Sequence, residues 1–595
     1  MKLEKKSGSG LLEGGFLPCA GALVSSIAFS YYLGFTTKDP FTFFFLAVFV
    51  FLIKMRMSVR DKAINTISAV ISVVFTAFMV LNKVPEIYES VGTVFTSDKL
   101  ISLIVGFFVF FFSVFGLVFD KIRNLDITSD QTVQPFRKQL SVFAAVTAVL
   151  FLFWLPFFMI RFPGGLTDDS LNQLLIVTGV YPKSNHHPYI HTLAIGFLYN
   201  LGLKLFGNVP EYGIALYSVV QMFLMAMAYA YFITAAFRFR VKKWFIIASM
   251  VFYMFPGYNI QYAFTMWKDI PFAGFVLVYS TALWRYLLKN DKENKTPELI
   301  VMFFSGIGVC LFRSNGLYAF IVMALFIVGY SIKKKNLKLS GVTAAALTIS
   351  LIVHGPVYSA LGVVPPDPIE SLSIPTQQIA AIVAEAKPIS DEDKELLSRV
   401  VDLEQVPECY REYISDPVKK LVRETGDQSY LINDREQYFK LWIRLGKQYP
   451  FEYLNAYVNQ TCGYWYPDNF LWIYPNQSQI SEKFVYQPDH SVKEGIDMFF
   501  DDIWNSHNEI PLLGILWSCG LFTWTAIIAA AFALVKKKKK ELMIYILPFC
   551  IIGTLMIATP VYAEFRYIYS IVLTSPLYFM IPFVGAEKTD NNDTK

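Results

Sequence analysis

Directly after an apolar run ending in "FLFWLPFFMI", the chain reads "RFPGGLTDDSLNQ" from Arg161 and soon afterwards "YPKSNHHPYIH". Two adjacent carboxylates, Asp168 and Asp169, and three histidines, His186, His187 and His191, thus follow the end of a hydrophobic segment. Charged residues recur at such ends: Lys268 and Asp269 in "WKDIPF", Arg313 in "RSNGLY" and Arg566 in "FRYIY". An ionisable group at the edge of hydrocarbon costs free energy and is a functional candidate by default. A carboxylate can take a proton from a reacting hydroxyl, arginine grips phosphate oxygens through a planar fork, and lysine supplies a point charge. Asp168, Asp169, Asp269, Lys268, Arg313 and Arg566 together suit a substrate that carries a phosphate and a reacting hydroxyl, with His186, His187, His191 and Gln173 as lining residues.

Each of these residues has a plainer role beside the chemical one. Thr167 followed by two acids is a helix N-cap with carboxylates in the first turn, where the helix dipole favours them. Lys268 and Asp269 beside a tryptophan are interfacial anchors, and Arg313 and Arg566 can extend to lipid headgroups. The histidines resemble a zinc cluster, but "HHPYIH" sets His187 before a proline and ahead of the helix, which leaves a shared ligand face open. No metal ligands are assigned; a divalent cation is left open as a cofactor.

The elements that must position these side chains are membrane helices. Of 595 residues, 54% are apolar and 17% charged, and the mean hydropathy is +0.43, outside the range of a soluble globular chain. A net charge of +5 is small for this length, and no basic stretch is interleaved with aromatic residues, so nucleic acid is excluded as a partner. A span needs roughly 20 apolar residues. Stretches near 16–34, 40–54, 63–81, 100–119, 139–160, 212–236, 244–257, 270–288, 299–312, 317–332, 340–361, 510–535, 541–559 and 566–585 give an all-α polytopic membrane protein with about fourteen transmembrane helices. The basic clusters "KMRMSVRDK", "RFRVKK", "RYLLKNDKENK", "KKKNLK" and "KKKKK" belong on the cytoplasmic side. They fall there together if the apolar stretch 189–207 lies in the interface instead of crossing. Both termini are then cytoplasmic, and the Arg161 loop, the turns at 256–269, 313 and 560, and a polar insertion at 362–509 face outward. The insertion is long enough for a small, mainly helical extracytoplasmic domain. It holds Cys409 and Cys462, whose pairing would brace it; the other four cysteines lie in apolar segments.

The order of "PGGLTDDSLNQ", "NHHPYIHT", "WKDIPF", "RSNGLY", "SIPTQQIA" and "FRYIY" resembles the GT-C superfamily of polytopic glycosyltransferases, in a poorly characterised bacterial branch. The resemblance covers residues 139–585. It implies a GT-C-like catalytic membrane core at 139–361 with the acidic outer loop 161–210, after an N-terminal four-helix extension at 1–138. The soluble domain at 362–509 follows, then the C-terminal helices and a short tail at 510–595. It further implies an inverting transfer of a sugar from a polyprenyl-phosphate donor to an envelope glycan or other outer-face acceptor, in the cell membrane. Asp169 matches the family's catalytic acid, while Asp168 stands where the branch more often carries an uncharged residue. Asp269 matches the second acidic site, with Lys268 beside it, and Arg313 and Arg566 match the arginines near the lipid phosphate. Two other classes compete: a secondary transporter or lipid-linked sugar flippase, and a non-catalytic envelope-assembly protein.

Overall fold

A computed structural model describes residues 16–89, 97–129, 134–290, 292–468, 502, 510 and 514–585. It is helical, and among the described residues strand pairing is limited to isolated bridges. The helices are α1 (Leu17–Tyr32), α2 (Pro40–Arg56), α3 (Lys62–Leu81), α4 (Val84–Glu89), α5 (Ser97–Ile122), α6 (Phe136–Ile160), α7 (Asp168–Val177), α8 (Tyr189–Leu205), α9 (Pro210–Arg238), α10 (Lys243–Met254), α11 (Gly257–Phe264), α12 (Asp269–Leu288), α13 (Thr296–Phe312), α14 (Ser314–Lys334) and α15 (Lys338–Ile352). There follow α16 (Ser373–Ala384), α17 (Asp391–Ser398), α18 (Val406–Cys409), α19 (Asp416–Thr425), α20 (Gln428–Asn433), α21 (Arg435–Gln448), α22 (Pro450–Trp465), α23 (Cys519–Val535), α24 (Ile546–Ala558) and α25 (Phe565–Met580).

Among the described residues eight helices are long and apolar enough to cross a membrane, as in a multi-pass membrane protein. They are α3, α5, α6, α9, α12, α14, α15 with its continuation to Ala360, and α24 with its lead-in from Glu541. The other six apolar stretches are helices of 12 to 17 residues, shorter than the roughly 20 residues of an upright span. Starts are written locally: Asp39 and Asp61 cap α2 and α3 through their carboxylates, and Pro40 and Pro210 occupy first-turn positions whose N–H would have no helical partner.

The chain divides into two compact units. One comprises Met1–Leu125, Pro375–Tyr466 and Ala530–Lys538. Here Phe107, Phe111, Phe115 and Phe119 repeat every fourth residue of α5, one above the next, and are buried. A buried Arg56 donates to the Phe112 and Val59 carbonyls at 3.2 and 3.0 Å. The insertion joins these helices: Phe78 stacks on Trp465 and Tyr88 on Phe451. This unit thus holds both the N-terminal helices and residues 375–466, brought together by aromatic contacts. Residues 469–501 and 503–509 of the expected insertion lie outside the described residues. Cys409 and Cys462 are both free, so the expected disulfide is corrected; Cys462 sits on α22, where burial pushes its thiol up to about 12.

The second unit comprises Asp126–Ile374, Pro467–Ala529 and Lys539–Lys595 and contains every candidate site residue. Leu174 of α7, Ile195 and Tyr199 of α8, Ile214 and Tyr217 of α9, and Met266 form one buried cluster. It locks the short α7 against two longer helices and the turn before α12.

Candidate active site

The site begins with two glycines. Gly164 has φ +123°, and a Cβ there would lie 2.1 Å from Ser218 Oγ; one at Gly165 would lie 2.5 Å from Thr265 Oγ1. Only glycine allows the backbone so close. Gly165 N–H then donates to the Phe264 carbonyl at 3.1 Å, and Met266 N–H to the Gly165 carbonyl at 2.8 Å. This bridge lays the loop after α6 alongside the turn before α12. Immediately downstream, Thr167 and Ser170 form a reciprocal capping box, each backbone N–H received by the other's hydroxyl, which starts α7 at Asp168. Successive residues on a helix point in different directions. Asp168 is exposed, whereas Asp169 turns inward.

Asp169 is held through one oxygen. Its Oδ2 accepts from Arg566 Nη1 at 2.7 Å and from Lys268 Nζ at 3.0 Å, with His187 Nδ1 at 3.9 Å. Among the described residues no hydrogen bond reaches Oδ1, and about a fifth of the side chain is open to solvent, 21%. Lys268 also donates to His187 Nδ1 at 2.9 Å, so that nitrogen is an unprotonated acceptor. Arg566 continues the chain: its Nε donates to Glu564 Oε1 at 2.8 Å, its Nη1 lies 3.9 Å from Asp269 Oδ2, and its guanidinium rests 4.8 Å from the Trp267 ring centre. Asp269, almost wholly buried, pairs with Arg313, whose guanidinium lies 4.6 Å from the ring centre of Tyr567. That pair is close in charge but not aligned as a hydrogen bond.

Four helix N-termini meet here. Asp169 is the second residue of α7, Asp269 the first of α12, Arg313 the N-cap of α14 and Arg566 the second residue of α25. Their dipoles favour negative charge at this point, whether carboxylate or phosphate. The balance shows in three groups. Burial alone would raise the Asp169 carboxyl, but the charges of Arg566 and Lys268 outweigh it and hold the group well below its ordinary range. Burial, then Lys268, push His187 down to about 2, so its ring is neutral. Burial pushes Glu564 up to about 7 against the pull of Arg566, with Asp269 and Asp169 adding to the rise.

The structure thus brings Asp169, Lys268, Asp269, Arg313, Arg566 and His187 together, and sets four expected residues elsewhere. Asp168 is exposed on α7, and His186 is exposed with its ring edge against His187. His191 is fully buried: Nδ1 meets Gln173 Oε1 at 2.9 Å and Nε2 the Tyr217 hydroxyl at 2.6 Å. Tyr217 donates to Gln221, whose amide donates to the carbonyls of Tyr262, Ala263 and Thr265. His191 and Gln173 are therefore positioning residues, tying α7 and α8 to the turn that delivers Lys268. Glu564 and Trp267 were not among the sequence candidates. An acid two residues before Arg566 in an apolar turn carries the same signal that singles out Asp269, an ionisable group at a span edge, and Trp267 adjoins Lys268.

Among the described residues no group of three or more His, Cys, Asp or Glu side chains could hold a metal ion. Asp169, Asp269 and Glu564 each already face a cation. No curated protein and no solved structure matches the chain. A family model matches residues 182–595, taking in His187, Lys268, Asp269, Arg313, Glu564 and Arg566 and beginning after Asp169. The match spans more than half of the chain, which belongs to the family of unknown function DUF6020.

Proposed function

We propose that the chain is a polytopic membrane glycosyltransferase with a GT-C-like core, about fourteen spans and both termini cytoplasmic, acting at the outer face of a cell membrane. Its donor is a sugar on a polyprenyl phosphate and its acceptor an envelope glycan or another outer-face hydroxyl. The observation that carries this reading is Asp169, gripped through Oδ2 by Arg566 and Lys268 while Oδ1 is open.

Nucleotide sugars are made in the cytosol, so an outer site requires a donor carried in the bilayer. Its phosphate competes with Asp169 for Arg566 and Lys268, at the convergence of four helix N-termini. A phosphate that draws those cations away raises the proton affinity of Asp169. The carboxylate is a weak base until the donor is bound and a stronger one afterwards. Asp169 then takes the proton of the acceptor hydroxyl, whose oxygen attacks the anomeric carbon. The bond from that carbon to the phosphate oxygen breaks, its electron pair stays on the phosphate, and the configuration inverts. Arg566, Lys268 and Arg313 stabilise the growing phosphate charge, worth most in a site shielded from water.

The test is incubation of the purified full chain in proteoliposomes with polyprenyl-phosphate sugars, alongside mass spectrometry of envelope glycans from a deletion strain. Release of polyprenyl phosphate with a new glycosidic bond, and loss of one glycan substituent in the deletion, are the expected results. Unchanged glycans together with movement of the intact lipid-linked sugar between leaflets would establish a flippase instead.

A further inference from the structure

At the opposite ends of two of these helices, α12 and α14, lies a charged cavity. α12 runs from Asp269 to Leu288, about 30 Å at 1.5 Å per residue. Near its far end a cavity of about 510 Å³ is lined by Lys289, Lys295, Lys334, Lys338 and Lys540, a volume typical of small-ligand sites. Among the described lining residues the one carboxylate, Glu293, is already used: it pairs with Arg238 and accepts from the Asn290 N–H at 3.1 Å.

The wall is built. Buried Glu298 accepts from Arg285 Nε at 3.1 Å and from Lys289 Nζ at 2.6 Å, and Lys289 also donates to the Asn294 carbonyl at 2.9 Å. One carboxylate balances two cations there, leaving positive charge in the wall. Lys540 is tied to the Leu287 carbonyl at 2.5 Å, and Lys295 sits 5.1 Å from the ring centre of Tyr286. Lys334 and Lys338 are exposed at the rim. The first turns of α13 and α15 open on the cavity through Thr296 and Lys338, adding two helix N-termini. Lysines that only orient a membrane protein need not converge on one cavity; these five line one.

We propose that this cavity binds a phosphate-bearing anion, either a soluble diphosphate or an anionic lipid headgroup, at a site separate from Asp169. The inference does not depend on the chemistry at Asp169. Two probes distinguish the sources: sodium pyrophosphate titrated calorimetrically onto the full chain in phosphatidylcholine nanodiscs, and native mass spectrometry of the chain from nanodiscs containing phosphatidylglycerol. Saturable pyrophosphate binding assigns a soluble ligand, and retained phosphatidylglycerol assigns a headgroup. Lys334→Gln with Lys338→Gln should weaken whichever is bound by roughly fivefold per lysine, while Lys334→Arg with Lys338→Arg keeps the charge and the binding. Neither probe bound by the native chain, or equal binding by the native and glutamine forms, overturns the proposal. So does pyrophosphate binding that survives the glutamine pair but falls in Arg566→Lys, since it then belongs to the other site.

Discussion

Asp169→Asn tests both the charge cluster and the proposed chemistry, because it changes charge and proton affinity at almost constant shape. The aspartate Oδ2 lies 2.7 Å from Arg566 and 3.0 Å from Lys268. Truncating one partner of a buried, hydrogen-bonded charge pair costs about 2–5 kcal/mol. With the Asp169 side chain 21% exposed and an amide oxygen still able to accept, the loss of folding stability belongs at the low end, about 2 kcal/mol. Losing a general base costs roughly a hundredfold to ten-thousandfold in turnover, about 3–5 kcal/mol in the barrier. The two effects separate further because the neutral amide of the variant no longer competes with a donor phosphate for Arg566 and Lys268. Donor KM should therefore fall while kcat falls much more, a pattern that simple unfolding does not produce. The assay is transfer from a polyprenyl-phosphate sugar in proteoliposomes, normalised to folded protein, with thermal unfolding in parallel. Asp168→Asn is the control: exposed on the first turn of α7, it should change stability by no more than about 0.5 kcal/mol. Native turnover in Asp169→Asn, or greater damage from Asp168→Asn, would refute the reasoning.

Three other perturbations reach different parts of the site. Arg566→Lys keeps the charge but loses the fork that spans Asp169 and Glu564, so donor KM should rise roughly tenfold or more with expression preserved; an equal loss of folded protein would assign Arg566 to structure alone. Glu564, pushed up to about 7 by burial, is protonated below that pH and leaves Arg566 available to phosphate. Donor KM should rise as pH passes upward through about 7, and Glu564→Gln should remove that limb. Folding stability should likewise be highest with Glu564 protonated and decline from the ordinary carboxyl range up to about pH 7, a slope absent in Glu564→Gln by chemical denaturation. Gly164→Ala places a Cβ on a backbone of φ +123° and against Ser218, and should cost about 2 kcal/mol or more in thermal unfolding; an unshifted transition would mean that the Gly164 loop does not anchor the site.

What could be read from the chain alone follows from local physics. Apolar runs of span length become helices because backbone groups in hydrocarbon must bond within their own segment, and each of the fourteen stretches expected is helical in at least its central part. Thr167 as a cap was legible because its hydroxyl needs only Ser170, three residues on. The charged residues at span edges were legible as costly, which is why Asp169, Lys268, Asp269, Arg313 and Arg566 could be named before their contacts were known. Their arrangement was not legible. Lys268 and Arg566 reach Asp169 across 99 and 397 residues of sequence, and the first of these contacts exists because Gly165 and Thr265 pack backbone to backbone. His191 shows the opposite case: its type argued for chemistry, but burial between Gln173 and Tyr217 made it a strut. Glu564 acquires its raised proton affinity only when α25 buries it beside Arg566 and near two other acids. The N-terminal helices join residues 375–466 through aromatic stacking that leaves no period in either segment. Hydropathy and capping act within a few residues and are written in order along the chain; burial, charge pairing and proton affinity depend on neighbours brought from hundreds of residues away, and only the tertiary structure decides them.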